Sequence, residues 1–257
     1  MSIDLRKRAE ESLIDLSKKA TISLTKKGLN DVRARVALAL DISGSMSDLF
    51  RKGVVQRTCE RTLGLAMNFD DNQAADVFLF GVRDHAAGEI AKSNFYEFVD
   101  REIIRKYPLE PGTNYAGVIR RIIDFYFPKA LRKSGKTGSF FGLGGKQNYT
   151  IDASAYRNQV PVYVIFVTDG NCFDDADTEE MIRLASELGL FFQFIGVGNE
   201  RFAFLDKLDN LSGRFIDNAN FFSVKSLDRM NDDELYDKLL GEFPSWINEA
   251  RSKQLIQ

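Results

Sequence analysis

Apolar positions along this chain change their spacing several times, and each change predicts an element. Leu5, Ala9, Leu13 and Leu16 recur three or four residues apart, which predicts a short amphipathic helix within residues 1–20. Ile22 and Leu24 alternate with Thr21, Ser23 and Thr25, a weak strand pattern that Gly28 ends. Later runs are continuously apolar. Val36-Ala37-Leu38-Ala39-Leu40 closes at Asp41, Val77-Phe78-Leu79-Phe80 at Gly81, and Val162-Tyr163-Val164-Ile165-Phe166-Val167 at Thr168-Asp169-Gly170. A fourth runs from Phe191 to Val197, and Phe221-Phe222-Ser223-Val224 predicts a last strand. Unbroken apolar runs of this length fit strands covered on both faces.

Helical spacing fills the gaps, at Val54 to Phe69, Phe95 to Tyr107 and Tyr115 to Phe127. Asp177-Thr178-Glu179-Glu180 and Asn231-Asp232-Asp233-Glu234 read as helix openings, because a polar N-cap and an N3 carboxylate satisfy free N–H groups. Pro244 resets the chain before a final helix with Trp246 and Ile247. Strands alternating with helices imply crossover connections, so the predicted class is α/β: a mainly parallel, doubly wound sheet between two helical layers. The Gly-rich, basic stretch at 134–147 breaks the alternation and predicts a mobile inserted loop.

Candidate chemistry sits at the carboxyl ends of the predicted strands, where open α/β sheets bind ligands. Asp41-Ile42-Ser43-Gly44-Ser45 follows the first run, with Gly44 expected to let the backbone turn tightly between the two hydroxyls. Gly112-Thr113-Asn114 precedes a helix, and Thr168-Asp169-Gly170 follows the third run. Each alone reads as an ordinary turn. Together, Asp41, Ser43, Ser45, Thr113 and Asp169 offer hydroxyl and carboxylate oxygens, the donors a hard divalent cation such as Mg²⁺ prefers. With neutral hydroxyls bound directly, the ion keeps charge to share with a carboxylate from another molecule.

These five positions resemble the metal-ion-dependent adhesion site of von Willebrand factor A domains. The resemblance implies a six-stranded, mainly parallel sheet with Mg²⁺ (or Mn²⁺) at its top. Ser43, Ser45 and Thr113 would be direct ligands, and Asp41 and Asp169 would act largely through water. Gly53-Val54-Val55-Gln56, Phe69-Asp70-Asp71, Asp217-Asn218-Ala219-Asn220-Phe221-Phe222 and Glu242-Phe243-Pro244-Ser245-Trp246 are similar, more narrowly, to the A domain of bacterial tellurium-resistance (Ter-type) stress proteins. That likeness implies a cytoplasmic stress-response protein and a protein partner that supplies an Asp or Glu to the metal, other stress-operon proteins among the candidates. The expected organisation is a helical and extended segment at 1–32, the metal-binding domain at 33–225 and a helical extension at 226–257 packed on it.

Composition narrows the rivals. Lys plus Arg total 35 against 37 Asp plus Glu, a net charge of -2, so nucleic acid is not the expected partner. The first residues have no apolar run behind their charges, so no secretory signal is expected, and no run approaches a transmembrane length. Cys59 and Cys172 form no CxxC pair, and the single histidine, His85, argues against zinc and Ser-His-Asp chemistry. His85 is expected in an exposed loop, Cys59 packed in a helix, and Cys172 in a loop beside the metal site. Gly196-Val197-Gly198 lacks the third glycine of a dinucleotide fingerprint, Arg201 standing there, and Gly145-Lys146 fails as a P-loop at Phe140 and Gln147. Asp174, Asp175 and Asp177 could hold a second cation or simply form an acidic loop and helix cap, and Phe202, Phe204, Phe221 and Phe222 are expected to be buried. The enzyme alternative, a metal-dependent phosphatase or nucleotide hydrolase with Asp41 as nucleophile, lacks the second acid two residues on, since Ser43 occupies that place. The expected function is therefore metal-dependent binding without turnover.

Overall fold

The computed structural model describes residues 2–137 and 146–257. Six strands form one sheet: β1 (Arg35–Asp41), β2 (Ala75–Phe80), β3 (Asp84–Ile90), β6 (Val162–Thr168), β7 (Leu190–Val197) and β8 (Ala219–Val224), while β4 (Leu131–Thr137) and β5 (Lys146–Ile151) pair separately. The large sheet runs β3-β2-β1-β6-β7-β8, with only β3 antiparallel to its neighbour. The helices are α1 (Ser2–Lys26), α2 (Ser47–Arg51), α3 (Val54–Phe69), α4 (Ala116–Tyr126), α5 (Asp175–Ala185), α6 (Ala203–Asp209), α7 (Asp232–Leu239) and α8 (Phe243–Ser252).

The two-residue period of a strand divides the core into two layers. Val36, Leu38 and Leu40 of β1, Tyr163, Ile165 and Val167 of β6, and Phe191 and Ile195 of β7 pack with residues of α1, α3, α7 and α8. The intervening Ala37 and Ala39, Val164 and Phe166, Phe192 and Phe194 pack with α4, α5 and α6. The fold is thus a three-layer, doubly wound α/β arrangement. Buried central strands need apolar residues on both faces, which is why their sequences do not alternate. Among the described residues, no helix is long and apolar enough to cross a membrane.

Several expectations are corrected. Thr21 to Thr25 is not extended: α1 continues unbroken to Lys26. Leu13, Leu16, Ala20 and Leu24 are buried at helical spacing, and the helix packs on α3 and α7. The 95–107 helix is reduced to a π-helical turn, Val99–Ile104. Glu97 has φ 53, and the Gln56 side chain accepts the Val99 N–H at 2.9 Å and donates to the Phe95 carbonyl at 2.9 Å, replacing helical bonds. The Gly-rich insertion is not simply a loop. Its flanks form the β4–β5 hairpin, while residues 138–145, including Phe140 and Phe141, lie outside the described residues. Helix α5 begins at Asp175, ahead of the expected cap at Asp177. Asn231 does cap α7, its side chain accepting the Asp233 N–H.

One charged cluster joins the terminal helices to the body. The buried Asp232 carboxylate takes Arg61 at 2.8 Å and Arg57 and Lys19 at 3.1 Å each. Arg61 also donates to the Leu227 and Met230 carbonyls, so its guanidinium closes the chain entering α7 onto α3. Burial opposes the Asp232 charge, but the bonds from Lys19 and Arg61 and the nearby Arg57 hold the carboxyl below its ordinary range. Asp232→Ala leaves three cations facing an empty partner and is expected to cost about 3 kcal/mol, read by urea denaturation. Because the folded carboxyl lies below the unfolded value of 3.8, its contribution is full above that pH and drains as pH falls below it. The acid limb of the stability curve should therefore be shallower in the variant.

Candidate metal centre

Strands β1 and β6 are parallel neighbours in register from Arg35↔Val162 to Leu40↔Val167, so Asp41 and Thr168-Asp169 leave the sheet side by side. Asp41 is 0% exposed. Its Oδ1 accepts the Ser43 N–H at 2.6 Å, and its Oδ2 accepts the Thr168 hydroxyl at 2.6 Å. The first bond shapes the turn and the second locks it to the next strand. A 3₁₀ turn at Gly44–Met46 then presents the hydroxyls: Ser43 Oγ and Ser45 Oγ lie 3.0 Å apart, and Ser45 Oγ donates to Asp169 Oδ1 at 2.7 Å. Gly44 does not have the conformational role expected of it. It has no left-handed φ, and a Cβ there would meet only the Glu110 carbonyl oxygen at 3.8 Å.

Thr113 is buried before α4, and its carbonyl accepts the Phe173 N–H at 3.1 Å, which ties it to the loop after β6 rather than to the other four residues directly. The loop is held further by Asp174, whose two oxygens accept the Tyr115 and Ala116 N–H groups at 2.9 and 2.8 Å. Asp174 therefore caps α4 across 58 residues of sequence rather than serving a second cation. The Tyr115 hydroxyl donates to the Gly170 carbonyl at 2.7 Å. Four of the five candidate residues are thus linked by hydrogen bonds through Asp41, Ser43, Ser45 and Asp169, and the fifth is stitched to the loop after β6.

Glu110 is a positioning residue that sequence reasoning missed. Its backbone pairs with the metal loop, Gly44 N–H donating to its carbonyl and its own N–H donating to the Ile42 carbonyl, each at 2.8 Å. Its buried carboxylate accepts the Arg83 N–H at 2.8 Å, pairs with the Arg83 guanidinium and lies 3.2 Å from His85 Nε2. Burial opposes this charge, but the Arg83 and His85 contacts hold the carboxyl below its ordinary range. His85 is consequently not in an exposed loop; it sits on β3, its ring against Tyr107 and its Nε2 at Glu110. Cys172 is buried beside Asp175, and burial pushes its thiol far up, the opposite of a reactive cysteine. Cys59 is packed within α3, and Phe202 and Phe204 are buried, while Phe221 and Phe222 are half-buried.

The electrostatics single out the pair at the centre. Burial pushes Asp41 up to about 6, against hydrogen bonds from Ser43 and Thr168. Burial also pushes Asp169 up, against its bond from Ser45. Among the described residues neither carboxylate has an ion pair with Lys, Arg or His, unlike Asp232 or Glu110. A buried acid without a cation is costly, and a divalent ion is one group that would supply the missing charge. The donor set fits a hard divalent ion: it is all oxygen, and the Ser45 hydroxyl stands 3.0 Å from that of Ser43 and 2.7 Å from Asp169 Oδ1. Adjacent oxygens around an octahedral ion at about 2.1 Å are about 3 Å from each other. Among the described residues no group of three or more His, Cys, Asp or Glu is placed to hold a metal, so a site here depends on its hydroxyls.

Residues 33–137 and 146–256 match the vWA-TerF-like family, described as the vWA found in the TerF C terminus. A Bacillus subtilis (strain 168) protein, YcbR, is 38% identical over 246 residues, covering 95% of this chain and 90% of that protein. Proximal thread matrix protein 1 from the mussel byssus is similar in fold, with TM-score 0.54 and 16% identity over 81% of this chain and 47% of the mussel chain. Its structure with a zinc-occupied MIDAS motif gives TM-score 0.52 and 15% identity over 82% and 46%. This chain thus spans about half the length of those solved chains.

Thr168→Val keeps the side-chain shape but removes the donor to Asp41 Oδ2. With that acceptor left buried and unpaired, thermal melting should show a loss of about 1–3 kcal/mol with the circular dichroism spectrum retained.

Proposed function

The chain belongs to the vWA-TerF-like family, and on that premise we propose that it is a metal-dependent protein-binding module of a bacterial, cytoplasmic stress-response system of the tellurium-resistance type. The ion is Mg²⁺ (or Mn²⁺). Ser43, Ser45 and Thr113 would hold it, with Asp41 and Asp169 beside them, and the bound ion would supply an electrophilic position for a carboxylate oxygen. A partner's Asp or Glu completes the coordination, other proteins of the same stress operon being the first candidates.

The observation that carries this reading is an acid pair, Asp41 buried and Asp169 half-buried, that has no ion pair among the described residues and is set against neutral hydroxyls. The acids attract a divalent ion, and the hydroxyls leave that ion short of negative charge. We further propose that the site binds without turnover. Asp41, the nucleophile that a phosphoaspartyl scheme would use, is 0% exposed and has both oxygens engaged by Ser43 and Thr168. Its role is to hold the turn and the local charge.

Ser43→Ala and Thr113→Ala each remove one hydroxyl. Isothermal titration should show Mg²⁺ affinity falling about tenfold or more in each, with the melting curve little changed. Unaltered Mg²⁺ affinity in both variants would refute the ligand assignment. Incubation with nucleotides and a generic phosphate ester in Mg²⁺ should release no phosphate above background; release that disappears in Asp41→Asn would instead establish an enzyme.

A further inference from the structure

The rim of the metal centre carries an apolar feature that neither the core nor the metal uses. Phe173 is 83% exposed, more than any other large apolar side chain among the described residues. Left in water, a phenyl ring forgoes the stabilisation its burial provides. Yet its position is set. Its N–H donates to the Thr113 carbonyl at 3.1 Å, and its ring lies against Gly112, where a Cβ would meet Phe173 Cε2 at 3.0 Å. The same Cβ would meet Val82 Cγ2 at 3.3 Å, and Val82 is 50% exposed. Asn114 ties this corner together, its N–H donating to the Gly81 carbonyl at 2.8 Å and its Nδ2 to the Val82 carbonyl at 3.1 Å. Three loops therefore hold two apolar side chains around a glycine immediately before Thr113.

We propose that Phe173 and Val82 form an apolar subsite that reads the residue next to the partner's metal-binding carboxylate. The occupant is a peptide segment with one Asp or Glu flanked on one side by a hydrophobic side chain. The carboxylate completes the ion, and the hydrophobic side chain covers the Phe173 ring. This proposal rests on the carboxylate-docking reading above and names the partner's chemistry.

A displayed decapeptide library with a fixed central Glu and random flanks, selected on the full chain in Mg²⁺, tests it. Hydrophobic residues should be enriched within three positions on one side of the Glu. In Phe173→Ser, whose ring is already in solvent and whose melting should be unchanged, that enrichment should vanish. The affinity of the best wild-type peptide should fall about tenfold, the scale of one lost apolar contact of this size. Equal hydrophobic enrichment on Phe173→Ser, or acidic peptides selected without a hydrophobic flank, would overturn the subsite while leaving carboxylate docking intact. A selection that ignores EDTA, that is unaffected by replacing the central Glu with Gln, or that enriches no peptide at all would overturn the docking reading and the subsite with it.

Discussion

Asp41 stands at the point where β1 leaves the sheet, with no exposed surface and each carboxylate oxygen taken by a different part of the chain. One bond comes from its own turn, through Ser43 N–H. The other comes from Thr168 at the end of the neighbouring strand. This pair of bonds orients the 3₁₀ turn, brings Ser45 to Asp169, and places an acid in a medium that resists its ionisation. The surrounding arrangement follows from keeping that acid buried without a basic partner.

The contrast with Asp232 shows what a compensated acid looks like in this molecule. There Lys19, Arg57 and Arg61 converge on the carboxylate, and the result fastens terminal helices to the body. At the strand ends the neighbouring polar groups have other partners. Arg83 and His85 are spent on Glu110, whose backbone braces the metal loop, and Asp174 is spent on the N–H groups that open α4. The supporting groups are satisfied among themselves, and the central acid pair has no ion pair among the described residues.

The four inner parallel strands, β2, β1, β6 and β7, were legible because helices cover both faces and force continuous apolar runs. Edge strand β3 was not. Only Ile90 is fully buried, so Asp84-His85-Ala86-Ala87-Gly88-Glu89 carries little pattern and reads as a loop. The β4–β5 hairpin stands outside the main sheet, and its glycines and lysines mimic a linker. Thr21, Ser23 and Thr25 alternate like a strand, yet Ser23 is buried within α1 and bonds Asp237, a partner 214 residues away. Tertiary contact overrode local propensity there, as Gln56 did for the expected helix at 95–107.

The D-x-S-x-S loop, Thr113 and Thr168-Asp169-Gly170 were visible in the chain because each is a short pattern of donor types at a strand end or before a helix, and such patterns are local. What the chain alone determined was therefore the α/β class, the central strands and the list of candidate oxygens. The tertiary structure decided which of those oxygens meet, that Glu110 and Asp174 hold their loops, that His85 belongs to a brace, and that Phe173 faces solvent beside them. These are relations between residues tens of positions apart. Burial and electrostatic environment depend on what the folded chain brings near a group, and a local sequence pattern does not contain that information.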